Sequence, residues 1–224
     1  MTTRQTTRVK ICGITRVADG IVAADAGAYA IGLNFWSGTP RRVSIETAQR
    51  IVAALPASLF KVALFVDPTR DEVEEVLRAL RFDTLQFHGS ESPEFCASFE
   101  RPYFKAIAMK EGVDLVEYAG RYKSAAGLIF DSWRAGDTPG GTGHAFDWKR
   151  LDLATRIRLK SPIILSGGLD PDNVREAIMQ VRPWAVDVSS GVEERGPDGK
   201  PRRGIKDPAR IAAFMDGVRS ADGT

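Results

Sequence analysis

Residues 163–191 read I-I-L-S-G-G-L-D-P-D-N-V-R-E-A-I-M-Q-V-R-P-W-A-V-D-V-S-S-G. The stretch begins and ends with a short apolar run, and small or polar residues follow each run directly. Between the runs, Asp170 before Pro171 predicts a helix start, and the apolar residues beyond it recur at three- and four-residue spacing. This order of strand, helix and strand predicts two parallel strands joined by a crossover helix.

The same unit recurs along the whole chain of 224 residues. Short, apolar and often β-branched runs predict eight strands that are buried on both faces: Val9–Cys12, Ala30–Phe35, Phe60–Val66, Thr84–Phe87, Phe104–Ala108, Leu128–Asp131, Ile163–Ser166 and Ala185–Ser189. Eight units in so short a chain favour a closed (β/α)8 barrel of the TIM type over a doubly wound open sheet, because closure removes both sheet edges. We therefore predict an α/β fold with a single domain over residues 1–224, in which residues 1–8 form a flexible N-terminus.

The composition argues against nucleic-acid and membrane partners. The 31 basic and 29 acidic residues are interspersed, so no basic stripe indicates a polyanionic surface as a partner. No apolar run approaches the ~20 residues that span a bilayer, and the first residues lack the apolar core of a secretory signal. Two cysteines do not form a disulfide framework, which favours a cytoplasmic location.

Polar residues collect where the predicted strands end. They are Cys12, Asn34, Asp67, Gln86, His88, Asp131, Ser166, Ser189 and Ser190. In a parallel barrel these ends converge on one mouth, where such enzymes carry their active sites. Simple solvation of loops is the alternative interpretation.

Glycines follow the last two strands. Gly167 and Gly168 come after the seventh strand, and Gly191 follows Ser190 after the eighth. Glycine lets the backbone approach an anion closely, and these two loops are the recurrent phosphate site of barrel enzymes. The pattern predicts a phosphate site, with ordinary tight turns as the alternative.

The segment 131–144 is a glycine-rich loop after the sixth strand. Its four glycines, Gly141 and Gly143 among them, favour a mobile lid over a plain surface excursion. Asp131 at the root of the loop follows an apolar run, so we expect a partly desolvated carboxyl that holds a proton near neutral pH.

Six segments resemble the motifs of phosphoribosylanthranilate isomerases, in the same order and spacing from about residue 9 to the C-terminus. The most specific is K-I-C-G-I-T at residues 10–15, and the others cover residues 32–41, 85–89, 140–148, 165–174 and 186–193. The resemblance implies an enzyme of tryptophan biosynthesis without metal or organic cofactor. It would isomerise N-(5-phosphoribosyl)anthranilate to 1-(2-carboxyphenylamino)-1-deoxyribulose 5-phosphate by an Amadori rearrangement.

The resemblance also implies roles for individual residues. Cys12 matches the general base, Asp131 the general acid, and Arg41 the arginine that binds the anthranilate carboxylate. The phosphate cradle falls on Gly167, Gly168, Ser190 and Gly191, while Gln86, His88, Gly141 and Gly143 complete the predicted substrate pocket. Asp187, between two valines, is either a structural carboxylate facing inward or a reserve candidate for the acid.

Two other functions remain open at this stage. One is a different phosphate-binding barrel enzyme, such as indole-glycerol-phosphate synthase or a pentose-phosphate epimerase. The other is a barrel that binds phosphosugars without catalysis. The expected partner is a small phosphorylated substrate, and the chain is either a monomer or a homodimer. Residues 194–203 form an enlarged loop after the eighth strand, whose role the sequence leaves undefined.

Overall fold

The computed structural model describes residues 6–110, 112–132 and 147–223. Eight parallel strands pair in sequence order, and the last pairs with the first to close a barrel. The strands are β1 (Arg8–Cys12), β2 (Ala30–Asn34), β3 (Phe60–Phe65), β4 (Thr84–Phe87), β5 (Tyr103–Ala108), β6 (Gly127–Asp131), β7 (Ile163–Leu165) and β8 (Ala185–Val188). The predicted (β/α)8 barrel is confirmed.

Helices follow the strands around the barrel. They are α1 (Val17–Asp25), α2 (Ile45–Ala53), α3 (Arg70–Ala79), α4 (Pro93–Ala97), α5 (Leu115–Arg121), α6 (Leu153–Arg158), α7 (Val174–Val181) and α8 (Pro208–Asp222). Short 3-10 helices lie at Trp148–Leu151 and Ser190–Val192, and an antiparallel hairpin of β9 (Glu193–Arg195) and β10 (Pro201–Lys206) precedes α8. No helix within the described ranges is both long and apolar enough to cross a membrane.

Local signals in the sequence set most of the helix starts. The capping box of Thr69 and Glu72 begins α3, and Asp207 caps α8 through the amides of its second and third residues. The predicted start of α7 at Pro171 is wrong. The Asp170 carboxylate instead accepts hydrogen bonds from the amides of the next turn, and the helix begins one turn later at Val174.

The lower half of the barrel interior is apolar. Alternate strand residues fill it, together with Phe60 and Trp184 at its rim: Ala30, Val62, Phe104, Ala106, Ile129, Ile164 and Ala185. Each large side chain buried in this way contributes about 1.5–3 kcal/mol relative to exposure. Because this apolar lower half stabilises the barrel, the upper half of the interior can carry polar groups.

The interior becomes polar towards the C-terminal ends of the strands. Lys10 of β1 and Asp187 of β8 are register partners, so their side chains lie side by side across the seam where the barrel closes. One inward position higher, Cys12 is the register partner of Gly32 on β2. The strand register of the closed barrel therefore places the charged residues Lys10 and Asp187 directly below Cys12 and the barrel mouth.

The described part of the N-terminus is attached to the last helix. Thr7 donates hydrogen bonds from its amide and its hydroxyl to the Asp222 carboxylate, at 2.8 and 2.7 Å. Arg8 already belongs to β1. Of the segment predicted to be flexible, residues 1–5 lie outside the described residues, whereas Thr7 and Arg8 are held in place.

Candidate active site

A cavity at the C-terminal mouth brings five of the predicted site residues together, whereas the predicted phosphate residues Gly167, Gly168, Ser190 and Gly191 are not part of its lining. It contains about 460 Å³ of open space, continuous with solvent. Its walls are formed by Cys12, Gly13, Asn34, Thr39, Arg41, Leu64, Gln86, His88, Asp131, Ser166, Asp187 and Ser189. The thiol from β1 and the carboxyl from β6 therefore border the same cavity.

Asp131 is held by a chain of hydrogen bonds from β4. The Gln86 amide nitrogen donates to Nδ1 of His88 at 3.0 Å, so the proton of a neutral imidazole resides on Nε2. His88 Nε2 then donates to Oδ2 of Asp131 at 2.9 Å. His88 is thus more than the pocket wall that the sequence suggested, because it fixes the orientation of the Asp131 carboxyl.

Two buried oxygens of this hydrogen-bond chain lack a partner among the described residues. Among the described residues, neither Oδ1 of Asp131 nor Oε1 of Gln86 has a hydrogen-bond partner. Buried polar atoms are almost always satisfied, so both oxygens retain the capacity to accept a further hydrogen bond. With Oδ2 of Asp131 bound to His88, Oδ1 is the carboxyl oxygen without a partner among the described residues.

Cys12 ends β1 and is only 7 % exposed. It faces Gly32, where an added Cβ would lie 2.8 Å from the sulfur, so a side chain at that position would displace the thiol. Burial raises the pKa of the Cys12 thiol above its ordinary value, and the positive charge of Lys10 opposes this shift without cancelling it. The group is therefore a thiol at neutral pH that can become a base once a positive charge approaches.

Lys10 and Asp187 form a buried ion pair beneath Cys12. The ammonium lies 2.8 Å from the carboxylate, and both side chains are almost fully buried. Burial disfavours the charge on Lys10, but the charges and hydrogen bonds of Asp187 and Cys12 together outweigh this effect and raise the pKa of Lys10. Breaking a buried pair of this kind costs about 3–5 kcal/mol, because the remaining charge loses its partner. Asp187, the reserve candidate for the acid, is therefore committed to Lys10.

Arg41 is fixed by a fully buried carboxylate. Its Nε and Nη2 donate to the two oxygens of Glu193 at 2.7 and 2.8 Å. Nη1 donates to none of the described residues, so this end of the guanidinium remains for a ligand in the cavity. Arg41 can thus bind a substrate anion without losing its anchor.

The segment after β8 supplies this anchor. Glu193 begins β9, and Lys206 at the end of β10 also contacts the Glu193 carboxylate, at 3.3 Å. Burial alone would raise the pKa of Glu193, but the hydrogen bond from Arg41 and the charge of Lys206 keep it below its ordinary value. The enlarged loop predicted at residues 194–203 is thus part of a hairpin whose base holds Arg41 in place.

The glycines after β7 and β8 bring two loops into direct contact. A Cβ on Gly191 would lie 1.9 Å from the Leu169 carbonyl oxygen, so only glycine fits there. Gly167 and Gly168 have φ angles of 79° and 68°, in the left-handed region that favours glycine. No described residue accepts a hydrogen bond from the amides of these two glycines. These two amides, which have no acceptor among the described residues and follow Ser166 of the cavity wall, suit an anion such as phosphate.

Two predicted site residues cannot be placed. Gly141 and Gly143 lie outside the described residues, as does the expected lid that contains them. Cys96 lies on α4, fully buried in the core, and burial raises its pKa to about 12. Among the residues described, no cluster of His, Cys, Asp or Glu is arranged to hold a metal ion.

The sequence interpretation did not assign functions to Lys10, Glu193 and Lys206. Lys10 and Asp187 each interrupt an otherwise apolar strand, and in a closed barrel β1 and β8 are neighbours, so their pairing could have been inferred. Glu193 is 152 positions from Arg41, and no local pattern indicates that contact. Only the folded chain brings these two side chains together.

Comparison with known proteins places this geometry in a family. Residues 9–217 match the family model described as N-(5'-phosphoribosyl)anthranilate isomerase, which spans nearly the whole chain. The chain belongs to the phosphoribosylanthranilate isomerase family. Its relative from Alcanivorax borkumensis, named N-(5'-phosphoribosyl)anthranilate isomerase, is 52 % identical over 213 residues, which cover 95 % of each chain.

Solved structures of phosphoribosylanthranilate isomerases have the same fold. The enzyme from Thermotoga maritima superposes with a TM-score of 0.83 at 34 % identity, covering 96 % of this chain and 99 % of its own. A second structure is a complex with reduced 1-(o-carboxyphenylamino)-1-deoxyribulose 5-phosphate. It gives a TM-score of 0.81 at 33 % identity, with the same coverage of both chains.

Proposed function

We propose that this chain isomerises N-(5-phosphoribosyl)anthranilate to 1-(2-carboxyphenylamino)-1-deoxyribulose 5-phosphate in tryptophan biosynthesis. The observation that carries the proposal is the shared cavity of Cys12 and Asp131, which the anchored Arg41 also lines. The glycine loops after β7 and β8 directly follow the wall residues Ser166 and Ser189. The reaction moves protons between neighbouring atoms of one substrate, so it requires one acid and one base but no redox partner.

Asp131 acts as the general acid in this proposal. A proton on Oδ1 is transferred to the ribose ring oxygen as the bond from that oxygen to C1 breaks, and the aniline nitrogen forms an iminium with C1. His88 keeps Oδ2 occupied, so the proton is presented on the oxygen that lacks a protein partner. Asp131 is only 4 % exposed, which limits the contact of its carboxyl with bulk water.

Cys12 acts as the general base. The iminium charge acidifies the proton on C2 and also favours the thiolate, so a thiol of raised pKa becomes competent when the intermediate forms. Removal of that proton gives an enolamine. Protonation at C1 and loss of the C2 hydroxyl proton then give the ketone, and both side chains can return to their starting states.

Arg41 binds the anthranilate carboxylate through the end of its guanidinium that Glu193 leaves free. The Arg41→Ala variant should raise KM about 10- to 100-fold, the scale of a lost charge-assisted hydrogen bond. The change should also reduce stability, because among the described residues Glu193 would keep only Lys206 as a cationic partner. We expect a stability loss of about 1–3 kcal/mol, measured by urea denaturation.

Arg41→Lys provides the matched control. It keeps a positive charge beside Glu193 but loses the planar fork, so stability should recover more than substrate affinity does. An unchanged KM in the alanine variant would remove Arg41 from the substrate site.

The glycine loops after β7 and β8 bind the substrate phosphate. In Gly191→Ala, the added methyl group would clash with the Leu169 carbonyl and force the two loops apart. We expect at least about a tenfold weaker inhibition by inorganic phosphate, which loses aligned amide donors. The matched control is Gly120→Ala on α5, where an added Cβ meets no atom within 4 Å. Equal inhibition of Gly191→Ala and wild type would place the phosphate elsewhere.

One assay tests the function as a whole. The purified protein should consume the fluorescence of phosphoribosylanthranilate without any added cofactor or metal. Phosphate-sensitive substrate binding with no turnover would instead favour a barrel that binds phosphosugars without catalysis. A cytoplasmic location, and a monomeric or homodimeric state without nucleic-acid or membrane partners, complete the proposal.

A further inference from the structure

The strongest unassigned feature is the ion pair below the proposed base. Lys10 and Asp187 are buried at a depth where the other inward side chains are mostly apolar, and the proton transfers proposed above do not use them. We propose that Lys10 is a positioning residue that stabilises the thiolate form of Cys12, while Asp187 holds the Lys10 ammonium in place. The inference rests on the proposed role of Cys12 as the base.

Geometry around Gly32 supports this assignment. A Cβ built on Gly32 would lie 2.8 Å from the Cys12 sulfur and 3.1 Å from the Lys10 nitrogen. The two groups therefore border the same small space, which glycine leaves open. Both side chains are buried, so the ammonium acts on the sulfur in a medium of low dielectric constant.

The remaining charges near the thiol are either committed or more distant. The ionisable groups facing Cys12 from its own and neighbouring elements are Lys10 on β1, Asp187 on β8 and Lys206 on β10. Across the cavity lie Arg41, His88 and Asp131. The β2 strand contributes only the uncharged Gly32 and Asn34. Lys206 and Arg41 both bind Glu193, and the Lys10 charge lowers the pKa of Cys12 more than that of Lys206 does.

Asp187 has a separate task in this arrangement. Without a carboxylate 2.8 Å away, a fully buried lysine would tend to lose its proton and with it the charge that acts on the thiol. The carboxylate also raises the pKa of Cys12, but less than Lys10 lowers it. On balance, the ion pair therefore lowers the pKa of the Cys12 thiol and favours its thiolate.

The test measures how fast iodoacetamide alkylates Cys12 at different pH values, with the labelled peptide identified by mass spectrometry. In Lys10→Met, which keeps the length and loses the charge, alkylation at one fixed mildly alkaline pH should slow by about tenfold or more, equivalent to one pKa unit. The kcat of the same variant should fall while KM changes little, because Lys10 does not line the cavity proposed to bind the substrate.

Lys61→Met is the matched control. Lys61 is also a buried lysine, but its ammonium donates to the carbonyls of Pro56 and Leu59, away from the cavity. Its alkylation profile should equal that of wild type. If Lys10→Met does not fold, Lys10→Met/Asp187→Asn removes both charges together and should still slow the alkylation of Cys12.

An unchanged or faster alkylation of Cys12 in a folded Lys10 variant would overturn the inference. Because alkylation requires no substrate, its outcome is independent of the proposed function. An inactive wild-type protein whose Cys12 still responds to Lys10 would reject the isomerase function and retain the ion pair's effect on the thiol.

Discussion

Replacing Asp131 with asparagine is expected to lower kcat by about 10²-fold or more, the usual scale of a lost general acid. Asparagine has the same shape and keeps an oxygen that can accept the hydrogen bond from His88, so the fold and the pocket should persist. It has no carboxyl proton to give to the ring oxygen. Steady-state kinetics with phosphoribosylanthranilate, beside a thermal unfolding curve, would separate lost chemistry from lost structure.

The comparison variant for this prediction is Asp187→Asn. Asp187 borders the same cavity but is paired with Lys10, so its replacement should reduce stability more and kcat less than that of Asp131. The reverse order of the two kcat values would transfer the acid role to Asp187. Activity of Asp131→Asn within a few-fold of wild type would exclude Asp131 as the acid.

Replacing Cys12 with serine should also lower kcat by about 10²-fold or more. The hydroxyl fits the same space, but it ionises far less readily than a thiol and cannot accept the proton from C2. The pKa of Cys12 is raised by burial, and the base acts in its deprotonated form. The rate at which iodoacetamide alkylates the wild-type protein should therefore rise with pH through the alkaline range.

That alkaline rise should be absent in Cys12→Ser, and Cys96→Ala tests its origin. Cys96 lies in the core on α4 with a pKa of about 12, so its removal should leave the pH profile unchanged. A profile that keeps its alkaline limb in Cys12→Ser would assign the alkylated thiol to Cys96. A kcat of Cys12→Ser within a few-fold of wild type would exclude Cys12 as the base.

The sequence predicts the architecture and the position of the site well. Apolar runs and their spacing identify all eight strands to within two residues at either end, because strands buried on both faces leave little choice of residue type. The polar residues Cys12, Gln86, His88 and Asp131 were expected at one barrel mouth, and all four border the cavity. These features follow from local pattern and chain order alone.

The contacts that tune the site could not be predicted in the same way. That His88 binds Asp131 depends on the spacing between β4 and β6, which a pattern does not encode. The Glu193 anchor for Arg41 depends on how the hairpin folds back over the mouth. Side-chain pairs this distant in the chain are set by tertiary packing.

The hairpin between β8 and α8 combines a buried base with an exposed turn. Its base is buried and holds Arg41 through Glu193, whereas residues 197–200 at its turn are exposed. A peptide tag or a reporter dye introduced at the turn would project into solvent, while both ends of the insertion stay clamped by the base. The hairpin turn thus offers an attachment point beside the barrel mouth, and a modification there should leave Arg41 in its position.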